Sequence, residues 1–197
     1  DTGVKIPNYS PNGVFLNNST QTIPLEGGSY TFHHGDAQNI YSSSFVEADK
    51  AVIIYSGSAD LCEVDMSTVI PVGDCTGSNE IVTQKFTSYN GNDLDAFGYI
   101  ILASATEPVL INGSNLETLT GKSRIAIGST GYYIITFTNT EIGSPEKYNI
   151  TSNAKMTVSI VQQGNGFTMS GFFSSFNETI TKPEIVSNEN CNTVIST

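Results

Sequence analysis

The sequence predicts an all-β chain: a single antiparallel β-sandwich, jelly-roll or immunoglobulin-like, over residues 26–197, preceded by an extended N-terminal tail over 1–25. Three observations predict it. Apolar and polar residues alternate with a period of two through most of the chain. Helical periodicity is almost absent, because no window of eleven or more residues keeps an apolar stripe without a Gly, a Pro or a β-branched run crossing it. Turn-forming pairs and triplets recur at the spacing of short strands, among them Gly27-Gly28, Asn90-Gly91, Asn112-Gly113, Gly128-Ser129-Thr130-Gly131 and Gly164-Asn165-Gly166.

The elements follow in order. Val4-Lys5-Ile6 and Gly13-Val14-Phe15-Leu16 are short extended apolar pieces interrupted by Pro7 and Pro11, too little to form a core of their own. Strands are then expected over Tyr30–His34, Ile40–Val46, Ala51–Ser56, Ile81–Tyr89, Phe97–Ala103, Ser123–Ile127, Tyr132–Thr138, Lys155–Gln162 and Phe167–Phe173. Val52–Tyr55, Tyr99–Leu102 and Tyr132–Ile135 are apolar on both faces and read as central strands. In Lys155–Gln162 and Ile81–Ser88 one face is polar and reads as wet, and Gln162–Phe167 reads as a tight hairpin.

Composition narrows the function. Of 197 residues only 14% are charged, and 8 Lys plus Arg against 19 Asp plus Glu leave a net charge of −11. That balance argues against nucleic acid and anionic lipid as partners, both of which need a basic footprint. No stretch approaches the roughly 18 apolar residues of a membrane span, so no membrane insertion is expected. A chain beginning at Asp1 reads as the processed product of a secreted precursor. Six Asn-x-Ser/Thr sequons, at Asn8, Asn17, Asn18, Asn112, Asn149 and Asn177, agree with export and N-linked glycans, against about four expected from composition alone. Cys62 and Cys75 are spaced to close a hairpin-sized loop by a disulfide, with Cys191 outside that pair.

Catalytic chemistry finds little footing. Gly121-Lys122-Ser123 ends like a phosphate loop, but Leu116 stands where the first Gly is required. His33 and His34 are the only histidines and adjacent, and no GxSxG is present, so a hydrolase triad has no frame and no enzyme is expected. Glu63 and Asp65 share a strand face near Asp60 and Asp74, the arrangement a glycosidase or a calcium site would use, in a chain rich in acids. Asn90–Asp95 is oxygen-rich like a calcium loop, yet Ile101 occupies the place of its closing Glu, so a plain hairpin is expected and no cofactor.

A low-charge, Ser/Thr/Asn-rich β-domain with sequons, a disulfide spacing and an apolar tail resembles subunits of extracellular filaments built by donor-strand complementation, and among these the glycosylated surface threads of archaea. The resemblance implies a cell-surface homopolymer in which Val4, Ile6, Val14, Phe15 and Leu16 of one copy complete the sheet of the next, head to tail. The chain departs from bacterial chaperone-assembled pilins, whose donor strand is longer and less interrupted. The alternative is a surface adhesin, a carbohydrate-binding sandwich or a virion surface protein that forms no filament.

Overall fold

The computed structural model describes residues 2–9, 15–23, 28–29, 43–44, 46–60, 63–73, 76–85, 91, 94–164 and 166–174. In chain order the strands are β1 (Thr2–Tyr9), β2 (Phe15–Ile23), β3 (Ser43–Ser44), β4 (Glu47–Ala48), β5 (Tyr55–Asp60), β6 (Glu63–Thr68), β7 (Ser78–Gln84), β8 (Asp95–Leu102), β9 (Leu110–Ile111) and β10 (Ser114–Asn115). A short helix α1 (Leu116–Thr120) follows, then β11 (Ile125–Ala126), β12 (Tyr133–Thr138), β13 (Lys147–Gly164) and β14 (Phe167–Phe173). The chain is all-β. Its one described helix is a single turn that the strand-only reading passed over: Asn115 caps it by accepting from Thr118 N at 3.0 Å, and Gly121 ends it at φ 66.

Most of the strands belong to one curled antiparallel sheet, and β13 is its spine. Its first part, Lys147–Thr151, pairs β7 on one side and β9 on the other. After a register shift between Thr151 and Met156, its second part pairs β8 through Met156–Gln163 and β14 through Val158–Gly164. Met156 pairs both Ser78 and Leu102, so β7 and β8 flank β13 on opposite sides. β7 and β8 therefore do not pair with each other, and Asn90, Asn92 and Asp93 of the segment where a plain hairpin was expected lie outside the described residues. By contrast, Gln162–Phe167 is the expected hairpin, with Gly164 and Gly166 supplying φ 147 and φ 82.

The even-numbered residues of β13 make the core. Tyr148, Ile150, Met156, Val158 and Ile160 are buried with Ile100, Leu102, Ile111, Leu116, Ile135 and Phe137. Each such side chain contributes about 1.5–3 kcal/mol on burial. The Tyr148 hydroxyl, lowered into this core, donates to Asn139 Oδ1 at 3.0 Å, which satisfies both groups.

The opposite face of β13, expected to be wet, is covered: Thr157 and Ser159 are 4% and 2% exposed. Their cross-strand partners are Ile101 and Tyr99, which belong to a second apolar cluster with Ile125, Ile127, Tyr132 and Ile134. Burial there pushes the Tyr99 hydroxyl up to about 12, against a hydrogen bond with Ser159 that acts the other way.

Two smaller sheets complete the described chain. β1 is the middle strand of the first, paired with β2 over its length and with β3 and β4 at two positions each. The second is the β5–β6 hairpin. Here the expectation of a central apolar strand over Val52–Tyr55 fails. Val52, Ile53 and Tyr55 are 38%, 73% and 61% exposed, because β5 begins only at Tyr55 and its partner β6 meets the large sheet through polar side chains.

Two predictions follow from the core and its rim. Gly98 sits across from Phe137, and a Cβ there would lie 2.6 Å from Phe137 Cζ and 2.7 Å from the Ser159 carbonyl oxygen. Gly98→Ala should cost about 2–3 kcal/mol, since a backbone neighbour cannot yield, and denaturant unfolding will read the loss. At the rim, Arg124 is 7% exposed at its side chain and grips Glu117 at 2.7 Å while donating to the Ser104 carbonyl at 2.8 Å. The hydrogen bonds from Arg124 hold the Glu117 carboxyl below its ordinary value. A depressed folded value means that this stabilisation is complete above the ordinary carboxylate range and is lost as pH falls through the folded value. Acid titration of the melting temperature should show that loss in the native chain and a shallower one in Glu117→Gln.

Candidate interaction surfaces

Strand β6 alternates Glu63, Asp65 and Ser67 with Val64, Met66 and Thr68, so the two sets point to opposite faces. The polar set faces the protein. Thr168 N donates to Glu63 Oε2 at 2.9 Å, Ser170 N donates to Asp65 Oδ2 at 2.5 Å, and Ser67 Oγ donates to the Ser170 carbonyl at 2.6 Å. These N–H groups lie on the edge of β14 away from β13. Each charge-assisted bond of this kind is worth about 1.5–3 kcal/mol. The hairpin thus closes an exposed sheet edge with side chains in place of a backbone ladder.

The carboxylate pair picked out by its spacing does share one face, and the structure occupies both members with backbone N–H groups. Among the described residues no group of three or more His, Cys, Asp or Glu is placed to hold a metal. Asp74 and half of Asn90–Asp95 lie outside the described residues, as do His33, His34, Cys62, Cys75 and Cys191. A hollow of 320 Å³ beside β8 and β13 is lined by Thr76, Ile101, Tyr132, Lys155 and Thr157 among others; among the described residues its titratable groups are Lys155 and Tyr132.

The N-terminal segment is a hairpin and not the single extended tail expected over residues 1–25. Thr2 pairs Ile23, Ile6 pairs Ser19 and Asn8 pairs Asn17, with a register shift before Tyr9. Val4 and Ile6 are 7% and 4% exposed within this small sheet of their own chain, while Lys5 points outward to Glu47 at 3.4 Å. Phe15 and Leu16 lie in β2, and Val14 lies outside the described residues. The four described apolar residues of the five expected to share one donor strand are thus split between two paired strands, Val4 and Ile6 on β1 and Phe15 and Leu16 on β2.

Of the sequons, Asn18 is exposed on β2, Asn8 and Asn17 lie on β1 and β2, and Asn177 lies outside the described residues. Asn112 and Asn149, far apart in sequence, are neighbours. Asn112 stands at φ 50 and Gly113 at φ 82, a two-residue turn between β9 and β10. The Asn112 side chain extends the sheet: Oδ1 accepts from Asn149 N at 2.9 Å and Nδ2 donates to the Lys147 carbonyl at 2.8 Å. Asn149 is exposed in the middle of a strand, where a turn or polar flank was expected, and lies across from the exposed Val82. Nothing in the local sequence pairs Asn112 with Asn149; only the β9–β13 contact does.

Comparison with protein-family models, with curated proteins and with solved structures finds no match.

The side-chain clamp carries a prediction with an internal control. If Thr168 and Ser170 bond β6, then the intervening Met169 and Gly171 amides bond β13, since antiparallel pairs alternate. Asp65→Ala combined with Glu63→Ala should speed amide exchange at Thr168 and Ser170 at least about tenfold while Met169 and Gly171 keep their protection. Equal acceleration at all four amides would show that the hairpin supports β14 in another way.

Proposed function

We propose that the chain is a structural subunit of a secreted, glycosylated cell-surface filament that joins copies of itself head to tail through its N-terminal hairpin. The observation that supports the reading is an asymmetry of pairing. β1 and β2 pair with each other at eight positions, whereas, among the described residues, β1 pairs the chain beyond residue 42 at four, through β3 and β4 in one register. Such an arm keeps its own ladder when it moves, and it can take the equivalent seat on the next copy with no net loss of contacts. The contact so made is heterologous and does not close, so it propagates. Compared with a single donor strand, the exchanged unit is a whole hairpin carrying the buried Val4 and Ile6.

Among the described residues the seat is held by few polar contacts, which suits exchange. Lys5 and Glu47 are each 51% exposed at the side chain, which makes their ion pair worth little. The stronger local contact is Gly3 N donating to Asp49 Oδ1 at 2.9 Å, returned by Asp49 N to the Gly3 carbonyl at 3.2 Å. Glycans fit the outer surface of such a polymer: Asn18 and Asn149 present exposed side chains, whereas the Asn112 amide already serves the sheet.

The test uses register neighbours. Val4 pairs Ala48, so chains bearing Val4→Cys mixed with chains bearing Ala48→Cys should form a disulfide between copies when the hairpin exchanges. Electron microscopy of the full chain should show polymers, and Ile6→Lys, which places a charge at a buried site, should abolish them. A full chain that stays monomeric at all concentrations, with no disulfide in the mixture, would overturn the filament and leave the adhesin or virion reading in its place.

A further inference from the structure

The β5–β6 hairpin is inverted relative to an ordinary surface hairpin. Its polar face, with Glu63, Asp65 and Ser67, meets the protein, and its apolar face meets solvent. Tyr55 pairs Thr68, Gly57 pairs Met66 and Ala59 pairs Val64, so Tyr55, Val64 and Met66 share that outward face. Ile53 extends it, the ladder continuing through Val69 N to the Ile54 carbonyl at 2.8 Å. A strand pair that could have been turned over by a one-residue slip is held in this orientation by the Glu63 and Asp65 carboxylates of β6, which accept from backbone N–H groups of β14.

We propose that this face is where two copies of the chain pack against each other, sheet to sheet, in a closed two-fold contact distinct from the N-terminal hairpin exchange. Area is the first argument. Ile53, Tyr55, Val64 and Met66 are 73%, 61%, 67% and 65% exposed. With side chains of roughly 150–200 Å² each they offer about 500 Å² of apolar surface, at the upper end for a monomer and over half of the roughly 800 Å² that one side of a stable complex buries. Charge is the second. The chain carries −11, which opposes self-association over most of its surface, and the outward positions Ile53, Tyr55, Gly57, Val64, Met66 and Thr68 bear no charge. Two like-charged copies approach at least electrostatic cost through their neutral faces. A face that is its own complement needs only the same patch on the partner, and a two-fold contact of this kind closes at the dimer.

The test is the mass of the full chain in solution against concentration, measured by sedimentation for Ile6→Lys and for the triple variant that adds Val64→Lys with Met66→Lys, with the double variant Val64→Lys with Met66→Lys as the stability control. Both lysine positions of the double variant are exposed in the single chain, so its melting temperature when dilute should equal that of the native protein. Ile6→Lys, which lacks hairpin exchange, should show a monomer–dimer equilibrium, and adding Val64→Lys with Met66→Lys to it should weaken that dimer at least about 30-fold, the effect of losing a central interface contact. Ile6→Lys removes the hairpin exchange and leaves this face intact, so the two contacts fail separately. A dimer of unchanged affinity in the triple variant would overturn the proposal. So would an Ile6→Lys chain that stays monomeric, and so would a triple variant that melts lower than Ile6→Lys, which would mean that another segment of the same chain covers the face.

Discussion

An eighteen-residue strand cannot serve as a flat rung, and everything else in the chain is arranged around the way β13 changes partners along its length. Strands twist, so a strand this long turns far enough that no single neighbour follows it from end to end. β13 shifts register between Thr151 and Met156, and each half then takes its own pair of neighbours. Its even-numbered side chains keep one apolar face through the shift, from Tyr148 to Ile160, and so tie both halves to one core. The close approach of Phe137 to Gly98 and the burial of Thr157 and Ser159 both follow from the crowding of strands about its second half.

The two edges of this arrangement are finished differently. On the far side of β8, β12 and the two-residue β11 taper the sheet, and the Arg124–Glu117 pair pins the chain just before β11 to α1. On the far side of β14 the edge is met by carboxylates and a hydroxyl from β6, which leaves the apolar face of that hairpin uncovered. Satisfying a sheet edge and burying an apolar face are separate demands. Here one hairpin meets the first at the expense of the second within a single chain. The N-terminal sheet shows a related imbalance, since β1 pairs β2 at eight positions and, among the described residues, β3 and β4 together at four.

Pattern alone made β8, β12 and β14 legible, because each is a short apolar or alternating run bounded by turn residues, and their limits are close to those expected. It made β5 misleading. Val52–Tyr55 is as apolar as Tyr99–Leu102, yet the first is exposed and the second packed, because burial depends on what lies above a strand and not on its own composition. The same limit applies to β13. Lys155–Gln162 was visible, but Lys147–Thr151 carries polar residues and a sequon, and only pairing with β7 and β9 makes it a strand. For Glu63 and Asp65 the shared face was legible from a spacing of two, and their partners, more than a hundred residues away, were not.

By itself, then, the sequence determined that this chain is built of antiparallel strands and that its surface is acidic and sparsely charged, because alternation, turn chemistry and charge are properties of neighbouring residues and of composition. Tertiary structure alone decided which strands meet. It set β7 and β8 on opposite sides of β13, joined Asn112 to Asn149, folded Val4 and Ile6 into a hairpin and turned Glu63 and Asp65 inward. The physical reason is that every buried N–H must find an acceptor, and at the edge of β14 the acceptors come from a strand whose alternation fits equally well either way round.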